Sequence, residues 1–239
     1  AEPYPELAEA QVAIAQAAWA AKQNDATLNA LTKAETLKPG WNIPALLKGQ
    51  VLFEQSPEAA IKFYQDFLVK YPQSNEVRLN LAKILVNQKQ YDAAKKHYPI
   101  IIQQAKEGPE KNTAEVTALI GLLSSQSGDY AAAESYYKQS IELGFKNPDQ
   151  LHIYLAQAAE KQKQDKSAID WYNKIQPASA HYLEAQLNLA NIIARTESAD
   201  KAIEKLDTID DLTTEQQIIV IQSQASILAK AKRDQEAFD

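Results

Sequence analysis

Apolar residues recur along this chain with a spacing near 3.6, the signature of helices that bury one face. Leu79, Leu81, Ala82, Ile84, Leu85 and Val86 form one such stretch, and Ile14, Ala17, Ala18 and Ala21 form another. No alternating run bounded by hairpin turns predicts a strand. Helix breakers recur at Pro39-Gly40, Pro72, Gly108-Pro109, Asn147-Pro148 and Pro177. Softer breaks stand at Gly128-Asp129, Lys163-Gln164-Asp165 and Asp210-Asp211. Most separate one unit from the next. Gly128-Asp129 and Lys163-Gln164-Asp165 instead split a unit into two helices of roughly 12 to 15 residues each.

Regular punctuation calls for a repeat search. Ala60, Ala94, Ala133, Ala168, Ala202 and Ala237 share one phase, at spacings of 34, 39, 35, 34 and 35. Four residues after them stand Tyr64, Tyr98, Tyr137, Tyr172 and Leu206. Twelve residues before them stand Ala82, Gly121, Ala156, Ala190 and Ala225, usually preceded by Leu or Ile. A weaker first unit has Ile14-Ala15, then Thr27, Leu31, Ala34 and Pro39. Small residues let two helices approach closely enough for ridges to enter grooves. Gly121 is therefore expected to face Ala133, with Tyr137 filling the gap to the next unit.

Capping residues fit the same frame. Ser56-Pro57-Glu58 predicts an N-cap followed by proline at the first helical position. Asn112-Thr113-Ala114-Glu115 has the form of a capping box. Two places depart from the register. Gly49 and Ala60 are only 11 positions apart. The 39-residue interval places an excess in Gln103 to Lys111. Pro99 falls inside a second helix, where it removes a hydrogen bond, so an irregularity is expected between residues 97 and 112.

The large-small pair, the Ala-x3-aromatic motif and the closing breaker resemble the tetratricopeptide repeat, and the resemblance runs along nearly the whole chain. It implies an all-α, right-handed α-solenoid of stacked antiparallel helix pairs. The repeats would span roughly residues 8–41, 42–74, 75–112, 113–147, 148–182 and 183–217, with a seventh starting at 218–239. It also implies a noncatalytic scaffold that binds a protein or peptide in its concave groove.

Composition narrows the chemistry. The chain has 239 residues, 39 of them alanine, six glycines and no cysteine. Disulfides, thiolate catalysis and cysteine-based zinc are excluded. A net charge of −6 opposes a general nucleic-acid binder. No apolar run approaches the roughly 18 residues of a membrane span. His97, His152 and His181 lack metal-ligand spacing, and no phosphate loop or nucleophile elbow is present. Asp210-Asp211 reads as helix capping rather than a catalytic pair. No cofactor and no enzymatic activity are expected.

Groove-facing positions, as the family resemblance places them, lie about six and two before the small residue and one and five after it. They select Glu76, Asn80, Lys83 and Asn87, then Gln150, Tyr154, Gln157 and Lys161, then Glu184, Asn188, Asn191 and Arg195. Asn80 and Asn188 stand two before the small residue, where a carboxamide can hold a peptide backbone by paired donor and acceptor. At that position the intervening units carry Leu119 and Tyr154, and the last carries Ser223, so the family's clamp for acidic chaperone tails is incomplete. Tyr154 and Trp171 raise the alternative of an envelope glycan. The apolar stretch from Ile218 to Leu228 raises self-association. The opening Ala-Glu-Pro-Tyr-Pro-Glu-Leu-Ala-Glu-Ala, Leu46-Leu47-Lys48-Gly49-Gln50 and Ser56-Pro57-Glu58-Ala59-Ala60 resemble the interior of long bacterial repeat proteins. That implies the periplasm or cell envelope, with the cytoplasm as the alternative. A start at Ala1 without any methionine, and an end just after Glu236-Ala237-Phe238, lead to the expectation of a piece of a longer protein.

Overall fold

The computed structural model describes residues 5–233, which contain helices and no strand. The chain divides into two compact units, Ala1–Val116 and Thr117–Asp239. The last register alanine, Ala237, lies outside the described residues.

The first unit holds α1 (Pro5–Ala20), α2 (Asn24–Leu37), α3 (Asn42–Gln55), α4 (Pro57–Lys70), α5 (Asn75–Asn87), α6 (Tyr91–Lys95), α7 (Tyr98–Glu107) and the first turn of α8 (Thr113–Gln126). Each helix packs mainly on its sequence neighbours, α1 on α2, α2 on α3, α3 on α4 and α4 on α5. That is the contact pattern of stacked helix hairpins. A single residue, Ser56, joins α3 to α4. Its side chain accepts from the Ala59 N–H at 3.3 Å, and Pro57 opens α4. The shortened Gly49–Ala60 interval is thus absorbed by a one-residue turn. The break foreseen near Pro99 lies between α6 and α7, at Lys96 and His97. Pro99 sits in the first turn of α7, where its missing N–H costs no helix hydrogen bond.

The second unit continues α8 and adds α9 (Tyr130–Glu142), α10 (Pro148–Lys161), α11 (Asp165–Tyr172), α12 (Tyr182–Thr196), α13 (Ala199–Asp207) and α14 (Thr214–Lys230). Here α10 packs on α9 and α11, α12 on α11 and α13, and α14 on α12 and α13. The α11 helix has only 8 residues, shorter than expected. The chain leaves it through turns ahead of Pro177, which biases the preceding residue away from helix. The N-cap of α14 is not an aspartate but Thr213, which forms a capping box with Gln216. Asp211 instead occupies a left-handed conformation with φ 58°.

Small and aromatic register positions meet directly. A Cβ at Gly49 would lie 2.0 Å from Tyr64 Cζ, and one at Gly121 would lie 2.6 Å from Tyr137 Cε1. Gly121 therefore admits the tyrosine ring itself. In the second unit Tyr137 packs with Ala118, Ala133, Leu151 and Leu155. Tyr172 does the same with Ile153, Ala156, Ala168, Ile175 and Leu189. Burial pushes the Tyr64 hydroxyl up to about 12 and raises that of Tyr137 further.

Apart from the turns at Ser56 and at Glu197-Ser198, the turns inside hairpins share one solution. Lys163 adopts φ 59°, its N–H bonds to the Glu160 carbonyl, and the next N–H bonds to Ala159. This is a Schellman ending, and Gly128 makes the same turn at φ 79°. Lys22, Lys89 and Lys232 repeat it with a side chain present. A non-glycine residue there carries about 1–2 kcal/mol of strain. Lys163→Gly is expected to raise stability by about 1 kcal/mol, read as a higher denaturant midpoint. A lower midpoint would contradict the turn assignment.

Candidate functional site

The second unit contains a hollow of about 780 Å³ between α10, α11 and α12. Its walls carry Gln157, Glu160 and Lys161 from α10, Asn188 and Arg195 from α12, and Lys163, Asp165 and Tyr172 between them. Four groove residues picked out by the repeat register thus come together: Gln157, Lys161, Asn188 and Arg195. Their chemical states differ. Arg195 bonds to Glu160 Oε2 at 3.2 Å and to Asp165 Oδ1, so its charge is met internally. Burial opposes that charge, but the two carboxylates hold the guanidinium above its ordinary range. Tyr172 donates to Glu160 Oε1 at 2.8 Å, and burial with this carboxylate pushes the phenol far up. Gln157 donates to Glu184 Oε1 at 3.4 Å. Lys161 and Lys163 are exposed without an ion pair among the described residues. Asn188 is half-buried, and its carboxamide has no hydrogen bond among the described residues.

The other candidates are placed less freely. Tyr154 accepts from Gln150 at 3.2 Å, and its ring lies 5.5 Å from that of Tyr137, so it belongs to the packing. Glu184 is exposed on α12, 3.7 Å from His181 Nδ1. Asn191 returns its amide to the Leu187 carbonyl at 2.9 Å. In the first unit Asn80 does likewise with the Glu76 carbonyl at 2.9 Å. The matched motifs around Asn80 and Asn188 therefore carry asparagines in different states. Lys83 is half-buried and Asn87 exposed. Trp171 is engaged by His152, stacked at 5.7 Å, and by Lys174 Nζ, 3.8 Å from the ring centroid. Ile218, Ile219 and Ile221 on α14 are exposed.

A second hollow, of about 460 Å³, lies within the first unit, and of the groove candidates only Glu76 lines it. Its other polar walls include Asn42, Asn75, Gln104, Glu107 and Glu110. Register reasoning missed these because most come from α7 and the loop after it, not from a first helix. The 39-residue interval was the signal, since it places extra chain in this segment. His97 lies at the start of α7. Burial, then the charge of Arg78, push its imidazole below the ordinary range, favouring the neutral form.

Sequence profiles described as tetratricopeptide repeat match residues 73–144 and 119–182. Among curated proteins nothing matches the sequence. Several solved structures share the fold. A tetratricopeptide repeat protein from Parabacteroides merdae superposes with a TM-score of 0.60 at 14% identity, covering 97% of this chain and 90% of that one. YrrB, a TPR protein with an unusual peptide-binding site, gives 0.58 at 18% identity, covering 85% and 97%. The Naa15/Naa10 structure bound to HypK-THB gives 0.55 at 18% identity, covering 96% of this chain but only 35% of the other. This chain spans about a third of that protein's length.

Proposed function

We propose that this chain, which belongs to the tetratricopeptide-repeat family, is a noncatalytic scaffold that holds an extended peptide of a partner protein against α10 and α12. The reading is carried by one observation: the hollow between these helices gathers four groove residues, and Asn188 alone among them has an uncommitted carboxamide. An amide offers one acceptor and two donors, which match the C=O and N–H of an extended backbone. Lys161 and Lys163 stand ready for an acidic side chain, while the Arg195–Glu160–Asp165 network fixes the wall behind them. The peptide-binding site named for YrrB supports the class of ligand. In this reading each of the six repeats of residues 8–217 supplies a first helix, and α10 and α12 form the recognition segment.

An array of immobilised 12-residue peptides, probed with the labelled chain, tests this. Asn188→Ala combined with Lys161→Glu is expected to weaken the peptides bound by the native chain by about tenfold or more, about 1.4 kcal/mol per factor of ten. Both side chains lie at the hollow's surface, so the melting curve should change little. Unchanged binding across the array would remove this site from consideration.

A further inference from the structure

The first unit's hollow has a chemistry opposite to that between α10 and α12. Three carboxylates line it, Glu76, Glu107 and Glu110, and no lysine, arginine or histidine does. Its apolar wall is formed by Leu79, Ala105, Pro109 and Val116. Three further lining residues carry carboxamide oxygens that receive no hydrogen bond: Asn42 Oδ1, Asn75 Oδ1 and Gln104 Oε1. Two of these oxygens have an assigned orientation. Asn75 Nδ2 donates to the Ile101 carbonyl at 3.0 Å, and Gln104 Nε2 donates to the Pro72 carbonyl at 2.8 Å and to Gln73 Oε1 at 2.9 Å. Turning either amide over would set oxygen against oxygen, so the unmatched atoms are acceptors. A shielded acceptor without a donor is destabilising, and an entering donor removes that cost once these side chains turn toward it.

We propose that this hollow seats the guanidinium of an arginine side chain presented by a partner protein. The occupant must bring positive charge, several donors and an apolar stem. Arginine has five N–H donors in a planar fork and is more weakly hydrated than an ammonium. Its methylenes match the Leu79, Ala105 and Val116 wall, as long basic side chains lie along apolar surface. Lysine offers a compact, strongly hydrated charge and reaches fewer of the spread acceptors. The segment that departs from the repeat spacing, Gln103 to Lys111, supplies Gln104, Glu107, Gly108, Pro109 and Glu110 to the hollow. The insertion thus supplies one wall of this hollow, and the starts of α3 and α5 supply another. This site stands apart from the α10–α12 reading and survives its failure.

The probe is a five-residue peptide, Gly-Ser-Arg-Ser-Gly with both ends blocked, with lysine and citrulline counterparts. Each is titrated into the isotopically labelled 239-residue chain and followed by amide chemical shifts. The arginine peptide is expected to shift Asn75, Glu76, Gln104 and Glu107 saturably. Citrulline, which keeps the shape and loses the charge, should bind about tenfold more weakly, with lysine between them. Glu76→Gln, Glu107→Gln and Glu110→Gln together should weaken the arginine peptide by about tenfold, and the comparison of peptides on the native chain stands without this variant. Equal affinity for citrulline, no saturable shift, or shifts confined to Gln157 through Arg195 would overturn the proposal.

Discussion

Alanine in place of Tyr172 is expected to lower the stability of the second unit by about 3–5 kcal/mol, the range for deleting a large buried aromatic side chain. Tyr172 is fully buried among Ile153, Ala156, Ala168, Ile175, Ala185 and Leu189. These residues come from α10, α11 and α12 and the turn after α11, so the cavity would open where successive hairpins meet. In a linear array that interface has no distant contacts to compensate it. Phenylalanine separates packing from polarity. It keeps the ring and removes only the bond to Glu160, whose partly exposed carboxylate water can reach. A cost of about 1 kcal/mol is expected for Tyr172→Phe. Denaturation followed by emission of Trp171, the tryptophan of this unit, reads both variants. An unchanged midpoint for Tyr172→Ala would contradict the packing described.

The second large effect reverses a general rule. Glycine to alanine inside a helix ordinarily stabilises by about 1 kcal/mol. At Gly49 the added Cβ would lie 2.0 Å from Tyr64 Cζ and 2.2 Å from the hydroxyl oxygen. Tyr64 is 3% exposed and donates to the Leu46 carbonyl at 3.1 Å, so the ring cannot simply swing away. Overpacking of this kind costs about 1–3 kcal/mol and exceeds the propensity gain. Gly49→Ala should therefore destabilise the first unit. Tyr64→Leu should abolish the penalty, giving a coupling of about 1 kcal/mol or more in a double-mutant cycle. Additive effects would mean that the two positions do not touch.

Periodic and local features were legible in the sequence. The alanine register, the Ser56 cap and the interruption near Pro99 each depend on residues close in sequence or fixed in phase. The glycine–tyrosine contacts were not read this way: Gly121 was expected to face Ala133, and the atoms a Cβ there would meet first belong to Tyr137. The position four before the small residue shows the limit in four of the units. Arg78, Thr117, His152 and Gln186 stand there, and all but half-buried His152 are buried, although their types suggest a solvated face. Arg78 donates to the Pro72 carbonyl at 2.6 Å, a backbone partner that no side-chain pattern reveals. Lysines in left-handed turns were equally hidden, because a loop lysine has an ordinary solvated explanation. Asn80 and Asn188 occupy matched motifs, yet one folds back on its helix and the other does not. The first unit's hollow depends on where an insertion lands, which its length alone does not reveal.

A photo-crosslinking pair tests the central claim that first helices hold the partner. Benzoylphenylalanine is placed at Gln157, exposed on α10 beside Asn188, and separately at Asp170, exposed on α11. With a peptide selected from the array, crosslinking is predicted from position 157 and not from 170. Equal yields, or crosslinking from position 170 alone, would contradict the account.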